Sequence, residues 1–360
     1  MPNILSFDAA IEDAAQYSKR HLLLGNGFSI GCRADIFHYE SLFGEANFSE
    51  MPQAQRVFNT LGTQDFEVAI KAIENSAKLM PIYVPDAVDV QGTMEQHVAQ
   101  LKELLVSTIS NNHPDTPASI PEEKFMACRR FLTHFLGPDM KGYVFTLNYD
   151  LLLYWTVMHD DASFAEEPIR LRRNDGFGND EDDPEADYVV WQGETGAHDA
   201  RIYNLHGGLH LFDSGAELQK YTWKRNGTPL VEQSRSAIED NKFPLFVAEG
   251  TSTQKKNKIR HNAYLYQGYK VLTSNAQIGT HCFFIFGHSL AQNDDHILVR
   301  LARGKFKKLY VGLFGGINSD ANQEIIRRAQ EMAAQRQDRF PLEIVFFDSV
   351  SANVWGDENT

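Results

Sequence analysis

The residues best suited to chemistry lie in four short segments, each following an apolar run: Gly25-Asn26-Gly27-Phe28-Ser29, Thr146-Leu147-Asn148-Tyr149-Asp150, His206-Gly207 and Gly287-His288-Ser289-Leu290. Glycines two apart after a strand are how an α/β chain turns and approaches a phosphate, because a Cβ would hold the backbone off a pyrophosphate and penalise positive φ. Ser29 adds a hydroxyl that can bond a phosphate or cap the next helix. Ile30 stands where the dinucleotide fingerprint has its third glycine, with Gly31 just after, so a strand-to-helix turn with no ligand is the alternative for this loop alone. Asn148 and Asp150 follow a buried strand, where open α/β sheets bind ligands; a turn with an N-cap is the alternative there. His206 enters a glycine turn, and a structural histidine is its plain alternative. His210 lies four residues on, but the intervening glycines argue against a helix, so a metal pair is not expected.

The chain that must position these residues has 360 residues, 42% of them hydrophobic, enough for one large domain over 1–360 or one with a sizeable insertion. Its 34 basic and 48 acidic residues leave a net charge of -14, which argues against a broad nucleic-acid footprint and suits an acidic cytoplasmic protein. No basic segment followed by a long apolar one opens the chain, and no later stretch is apolar enough to span a bilayer, so neither secretion nor membrane insertion is expected. Cys32, Cys128 and Cys282 are far apart and provide neither a disulfide framework nor a zinc site of paired Cys-x-x-Cys type.

Periodicity supplies the elements. A short helix over Asp8 to Lys19 leads into a strand at His21 to Leu24; Arg33 and Ile36 to Phe43 then suggest a helix or lid over the same site. Phe66, Ile70, Ile73 and Ala77, and Met94, Val98, Leu101, Leu105 and Thr108, repeat at helical spacing. With a third helix at Glu122 to Phe135 they make a helical insertion, 50–136, between two strands of one sheet. The next strand is Gly142 to Leu147, followed by a helix from Leu151 to Met158. An acidic excursion over 163–200 reads as solvated, with cation binding the alternative, though its spacing does not match a calcium loop. Arg201 to Leu205 reads as a strand, Phe246 to Ser252 as a strand-to-turn junction, and Lys255 to Arg260 as a solvated basic helix face or a phosphate contact. Helical residues run to about Ala276. Cys282 to Phe286 is an apolar strand, and Asn293-Asp294-Asp295 reads as an N-cap and first turn for a helix from Ile297 to Arg303. Strands at Lys308 to Leu313 and Leu342 to Phe347 flank a helix from Asp320 to Gln335. The fold class expected is α/β: one Rossmann-like, mostly parallel sheet flanked by helices, with a helical insertion.

In this order the four segments resemble the sirtuin-like superfamily, whose members share a glycine-rich loop, a Thr-x-Asn-x-Asp segment, a His-Gly pair and a late Gly-x-Ser turn around bound NAD. The resemblance extends over most of the chain. Asp65-Phe66-Glu67, together with Ile36 to Phe43, is similar to the bacterial branch that includes AbiH-type abortive-infection proteins. The resemblance implies NAD as substrate or ligand and no metal. It implies Gly25, Asn26, Gly27, Phe28, Ser29, Arg33 and Thr146 as cofactor-binding residues, with Gly287 and Ser289 on the adenosine side. Asn148, His206 and Asp150 would be the catalytic residues.

The chemistry agrees with that assignment. NAD loses nicotinamide through an oxocarbenium-like ribose, and the leaving group already carries positive charge, so no general acid is needed. Asn148 would hold a ribose hydroxyl or the attacking water, His206 would act as general base, and Asp150 would orient the nicotinamide amide or stabilise the cation. Protein-deacylating sirtuins carry four zinc-binding cysteines after the His-Gly pair and this chain has none, which makes deacylation the least favoured activity. NAD hydrolysis in an antiviral setting leads, with a non-catalytic NAD or ADP-ribose sensor as the alternative. Nucleic-acid processing is disfavoured for want of charge and of a metal-carboxylate motif. Because unchecked NAD loss is toxic, gating by a protein activator, partner subunit or homo-oligomer is expected, with 50–136 as the contact surface.

Overall fold

The computed structural model describes residues 3–37, 42–49, 51–64, 66–86, 88–111, 113–159, 169–221, 227–247, 251–336 and 339–356. Its centre is a seven-stranded sheet in the order β1-β12-β11-β10-β2-β3-β6, every pair parallel. The strands are β1 (Ile4–Leu5), β2 (Lys19–Leu24), β3 (Val144–Thr146), β6 (Ile202–Asn204), β10 (His281–Phe286), β11 (Lys308–Leu313) and β12 (Glu343–Asp348). β10 and β11 are buried along their whole length, as continuous apolar runs must be when helices cover both faces. Alternation sends Leu22, Leu24, Phe284 and Phe286 to one core and Leu23, Phe283 and Ile285 to the other.

Helices and a second sheet surround it. α1 (Phe7–Asp13) and α2 (Gly27–Cys32) flank β2. Between β2 and β3 lie α3 (Pro52–Leu61), α4 (Phe66–Tyr83), α5 (Val88–Asn111) and α6 (Glu122–Leu136), so the expected insertion is helical. Of the residues of the helical period, Phe66, Ile70, Ile73, Ala77, Val98, Leu101, Leu105 and Thr108 are buried and Met94 is half-buried. α7 (Leu152–Met158) follows β3, and α8 (Leu230–Glu239) packs on α5. α9 (Ser252–His261), α10 (Ala263–Ala276), α11 (Asp295–Ala302) and α12 (Asp320–Ala334) complete the set. No helix among the described residues is long and apolar enough to cross a membrane.

The single sheet expected from the sequence is corrected to two. β4 (Phe177–Gly178), β5 (Tyr188–Trp191), β7 (Gly207–Asp213), β8 (Leu218–Tyr221) and β9 (Phe243–Phe246) form an antiparallel sheet in the order β4-β5-β8-β7-β9. Part of the acidic excursion is therefore strand, and Asp175 within it pairs with the buried Lys220 at 2.5 Å. Short strands interrupted by Asp, Glu and Gly carry too little alternation to be read in sequence. Within the readings made above, His38–Ser41, Asp65, 163–168 and 248–250 lie outside the described residues.

Taken from β6, the parallel strands run β6-β3-β2-β10-β11-β12. Numbered by their order in the chain this is 3-2-1-4-5-6, with β1 added at the far edge, the strand order of a dinucleotide-binding sheet. The direction in which successive strands are laid across the sheet reverses between β2 and β10. Register aligns Leu24 with both Phe286 and Thr146, and Thr146 with Asn204, so four strand ends finish level beside that reversal. All four chemical segments leave the sheet there.

Candidate functional site

A cavity of about 820 Å³ opens at this switch point. Its wall runs from Asn148 and His206 past Gly27 and Gly287 to Phe314 and Asn322, spanning the carboxyl ends of strands on both sides of the reversal.

Two glycine loops clasp each other at its centre. A Cβ on Gly27 would lie 2.7 Å from Gly287 Cα, and one on Gly25 would lie 2.7 Å from His288 Cβ. The Gly27 N–H donates to the Gly287 carbonyl at 2.7 Å, while those of Phe28 and Ser29 turn back to Gly25 and Asn26. The neighbouring loop, packed where a Cβ would fall, demands these glycines, and of the three only Gly287 takes the positive φ expected of such a turn, +68°. The Gly27, Phe28 and Ser29 amides are committed inside the protein. Asn26 and Ser289 are the exposed side chains of the two loops.

Two expected cofactor residues face elsewhere. Phe28 is buried, packs on Trp355 with ring centroids 4.9 Å apart, and accepts the Trp355 Nε1–H at 2.6 Å. Arg33 forms a bidentate pair with Asp35 on the surface and is not on the cavity wall.

Ser29 and Thr146 are also turned inward. The Ser29 hydroxyl donates to Asp150 Oδ2 at 2.5 Å and accepts from Asn148 Nδ2 at 2.9 Å, so it is neither a phosphate ligand nor a helix cap. Thr146 Oγ1 accepts the Asn148 N–H at 3.0 Å, shaping the turn. Asn148 Nδ2 also donates to the Gly25 carbonyl at 3.1 Å, which leaves Oδ1 without a partner among the described residues. Asp150 spends its second oxygen on the Leu152 N–H at the start of α7. Burial raises its carboxyl pKa, against the lowering from those two hydrogen bonds. Asp150 is thus the anchor of the turn and lies under the cavity floor as much as in it.

His113, which sequence reasoning passed over, holds the same turn from the insertion. Its Nε2 accepts the Leu151 N–H at 2.9 Å and its Nδ1 bonds the Pro114 carbonyl at 2.7 Å. Burial pushes its pKa down to about 4, so the ring is neutral.

His206 also lines the cavity, buried, its Nε2 2.9 Å from His296 Nε2. Its partner is not His210, which stacks on Tyr154 inside the protein. Burial, which outweighs the nearby Asp294 charge, pushes the pKa of His206 to about 3 and of His296 to about 4; both rings are neutral, and one of the two facing Nε2 atoms donates to the other. Asp294 was expected as an N-cap. It occupies that position at α11 but makes no side-chain cap, turning its carboxylate to Lys255 Nζ at 3.1 Å and His288 Nε2 at 3.1 Å. Burial works to raise its pKa, and the His288 hydrogen bond and the Lys255 ammonium overcome this and hold it well below the usual range. The Leu290 N–H, donated to His288 Nδ1 at 2.8 Å, fixes the tautomer that donates to Asp294. Lys255 is correspondingly buried, and the reading of a solvated basic face is corrected at that residue. No spacing in the sequence joins 206, 255, 288, 294 and 296, which meet only through folding.

A family model described as a domain of unknown function, DUF4917, matches residues 22–355. The chain belongs to the DUF4917 family. The matched span runs from β2 to Trp355, and so takes in both glycine loops, Asn148, His206 and the Asp294 cluster. No curated protein matches the chain.

Proposed function

We propose that the protein is an NAD+ glycohydrolase of sirtuin-like type that releases nicotinamide and ADP-ribose in the cytoplasm as an antiphage or abortive-infection effector. The observation that carries the reading is the cavity at the β2/β10 reversal of a 3-2-1-4-5-6 sheet, walled on one side by Asn148 and His206. Asn148 offers a free Oδ1 to a ribose hydroxyl or to water. His206, neutral and lining the cavity, accepts the proton of the attacking water, and its Nε2 contact with His296 steadies the ring. The low basicity that burial gives His206 suits a weak acceptor acting on a water that attacks a nearly formed oxocarbenium ion. Asp150 acts through the turn: it positions Asn148 by way of Ser29. Gly25, Asn26, Gly27, Gly287 and Ser289 line the stretch along which the pyrophosphate and adenosine would lie.

A second reading, a sensor that holds NAD or ADP-ribose unchanged, draws support from the engagement of Asp150 and Ser29 with each other. Deacylation is the least favoured activity, in the absence of zinc-binding cysteines. In either leading reading a protein activator or self-association acting on the helical insertion gates the site. The experiment is nicotinamide release from NAD by the purified chain beside Asn148→Ala and His206→Ala. Release lost in both variants is the expected result; release unchanged in both overturns the assignment, and binding of intact NAD without release favours the sensor.

A further inference from the structure

Among the described residues, His206, Asp294 and His296 are the group whose donor atoms all come within 4.8 Å of one another with metal-ligand chemistry. A hydrolytic role for His206 asks of His296 only that it steady the ring, and does not account for the Asp294 carboxylate standing beside both imidazoles. We propose that these three side chains form a binding site for a divalent transition metal, with Zn2+ the best-matched ion.

The donor set is two neutral imidazoles and one ionised carboxylate, the combination that zinc accepts in three-ligand sites with an open fourth position. With metal–nitrogen bonds of about 2.0–2.1 Å, tetrahedral donors stand about 3.3 Å apart. His206 Nε2 and His296 Nε2 are 2.9 Å apart, and His206 Nε2 and Asp294 Oδ1 3.9 Å. One pair opens and the other closes by about half an ångström, within the reach of side-chain torsions. As the metal enters, the hydrogen held between the two Nε2 atoms is relayed through solvent to Nδ1 of the ring that carried it, so both ligands stay neutral imidazoles. His296 Nδ1 lies 3.4 Å from Ser252 Oγ, whose oxygen also accepts the His296 N–H at 2.8 Å, so a second contact orients this ligand. His206 and Asp294 both line the cavity, which supplies the route in and the fourth position. Lys255, 3.1 Å from Asp294 Oδ1, opposes the cation and sets a moderate affinity. The site does not depend on the nucleotide reading. If that reading holds, metal binding withdraws His206 from water and makes zinc an inhibitor of turnover.

The test is titration of the chelator-treated full chain with Co2+, followed by visible absorption. Saturable bands of tetrahedral cobalt at one ion per chain, bleached by Zn2+, are expected, and they disappear in His296→Gln and His296→Ala. Lys255→Met tightens binding about tenfold by removing the competing charge. Absence of the bands overturns the proposal, as does their persistence in both His296 variants or an intense near-ultraviolet band of thiolate ligation from the cysteines. Should the His296 variants fail to fold, the lysine variant decides, and an unchanged affinity there rejects the site. None of these readings involves NAD, so a failure of the hydrolase reading leaves the result interpretable.

Discussion

Ser29 and Asp150, 121 residues apart in the chain, share a hydrogen bond of 2.5 Å beneath the cavity. It ties the loop after β2 to the turn after β3, and Asn148 completes the link by donating to the same Ser29 oxygen and to the Gly25 carbonyl. The clasp fixes the orientation of the Asn148 carboxamide, whose Oδ1 is left for a ligand.

Ser29→Ala removes one of two hydrogen bonds from a buried carboxylate. Stability falls by about 1–3 kcal/mol in urea denaturation, and in the hydrolase reading KM for NAD rises as Asn148 loses its fixed rotamer. Asp150→Asn keeps the size of the side chain and an acceptor for the Leu152 N–H and removes the buried charge, but sets an NH2 where Ser29 now donates, so it is milder only as far as the Ser29 hydroxyl can turn to accept.

His113 makes stability depend on pH. Its folded pKa of about 4 lies below the ordinary histidine value of 6.5, so the neutral ring contributes stability that is complete above pH 6.5 and is lost as pH falls toward 4. From pH 7 to pH 5 this single group accounts for about 2 kcal/mol. Denaturation at both pH values on wild type and His113→Gln checks it: the variant loses less on acidification, by about that amount. Equal losses would remove His113 from the acid response.

Gly287 and Gly62 both sit at positive φ, +68° and +62°, yet differ in surroundings. A Cβ at Gly287 meets Phe28 N at 2.4 Å, whereas Gly62, which ends α3, faces open space. Gly62→Ala costs about 1 kcal/mol from backbone conformation alone. Gly287→Ala costs more because the two loops must part, and thermal unfolding of the pair orders them.

Phe314 is 80% exposed and stands on the far wall of the cavity, on a loop whose carbonyls at Phe314 and Gly316 both accept from Asn322 Nδ2 at 2.9 Å. An aromatic face held there suits stacking on a nucleobase. Phe314→Ala weakens ADP-ribose binding about tenfold, within the range for loss of one stacked base, with an unmoved thermal midpoint. Unchanged affinity by calorimetry would remove the base from this wall.

The sequence by itself determined the elements whose periodicity is strong. The parallel strands at Leu22–Leu24, Phe283–Phe286 and Leu309–Leu313 and the insertion helices through Ile70 and Leu101 were legible because continuous apolar runs and helical spacing are local signals. It also marked Asn148 and His206, which both reach the cavity. Tertiary structure decided what the marked residues face. Ser29 and Phe28 turned inward because the loop after β2 closes onto β3, β10 and the Trp355 segment, contacts separated by more than a hundred residues, and Thr146 because its hydroxyl accepts from Asn148 in its own turn. The antiparallel sheet was hidden because its short strands are broken by charged turns. His113, Lys255, Asp294 and His296 entered the site from elements with no shared pattern. Burial neutralises His113, His206 and His296, and folding brings His206 and His296 together beside the Asp294 carboxylate.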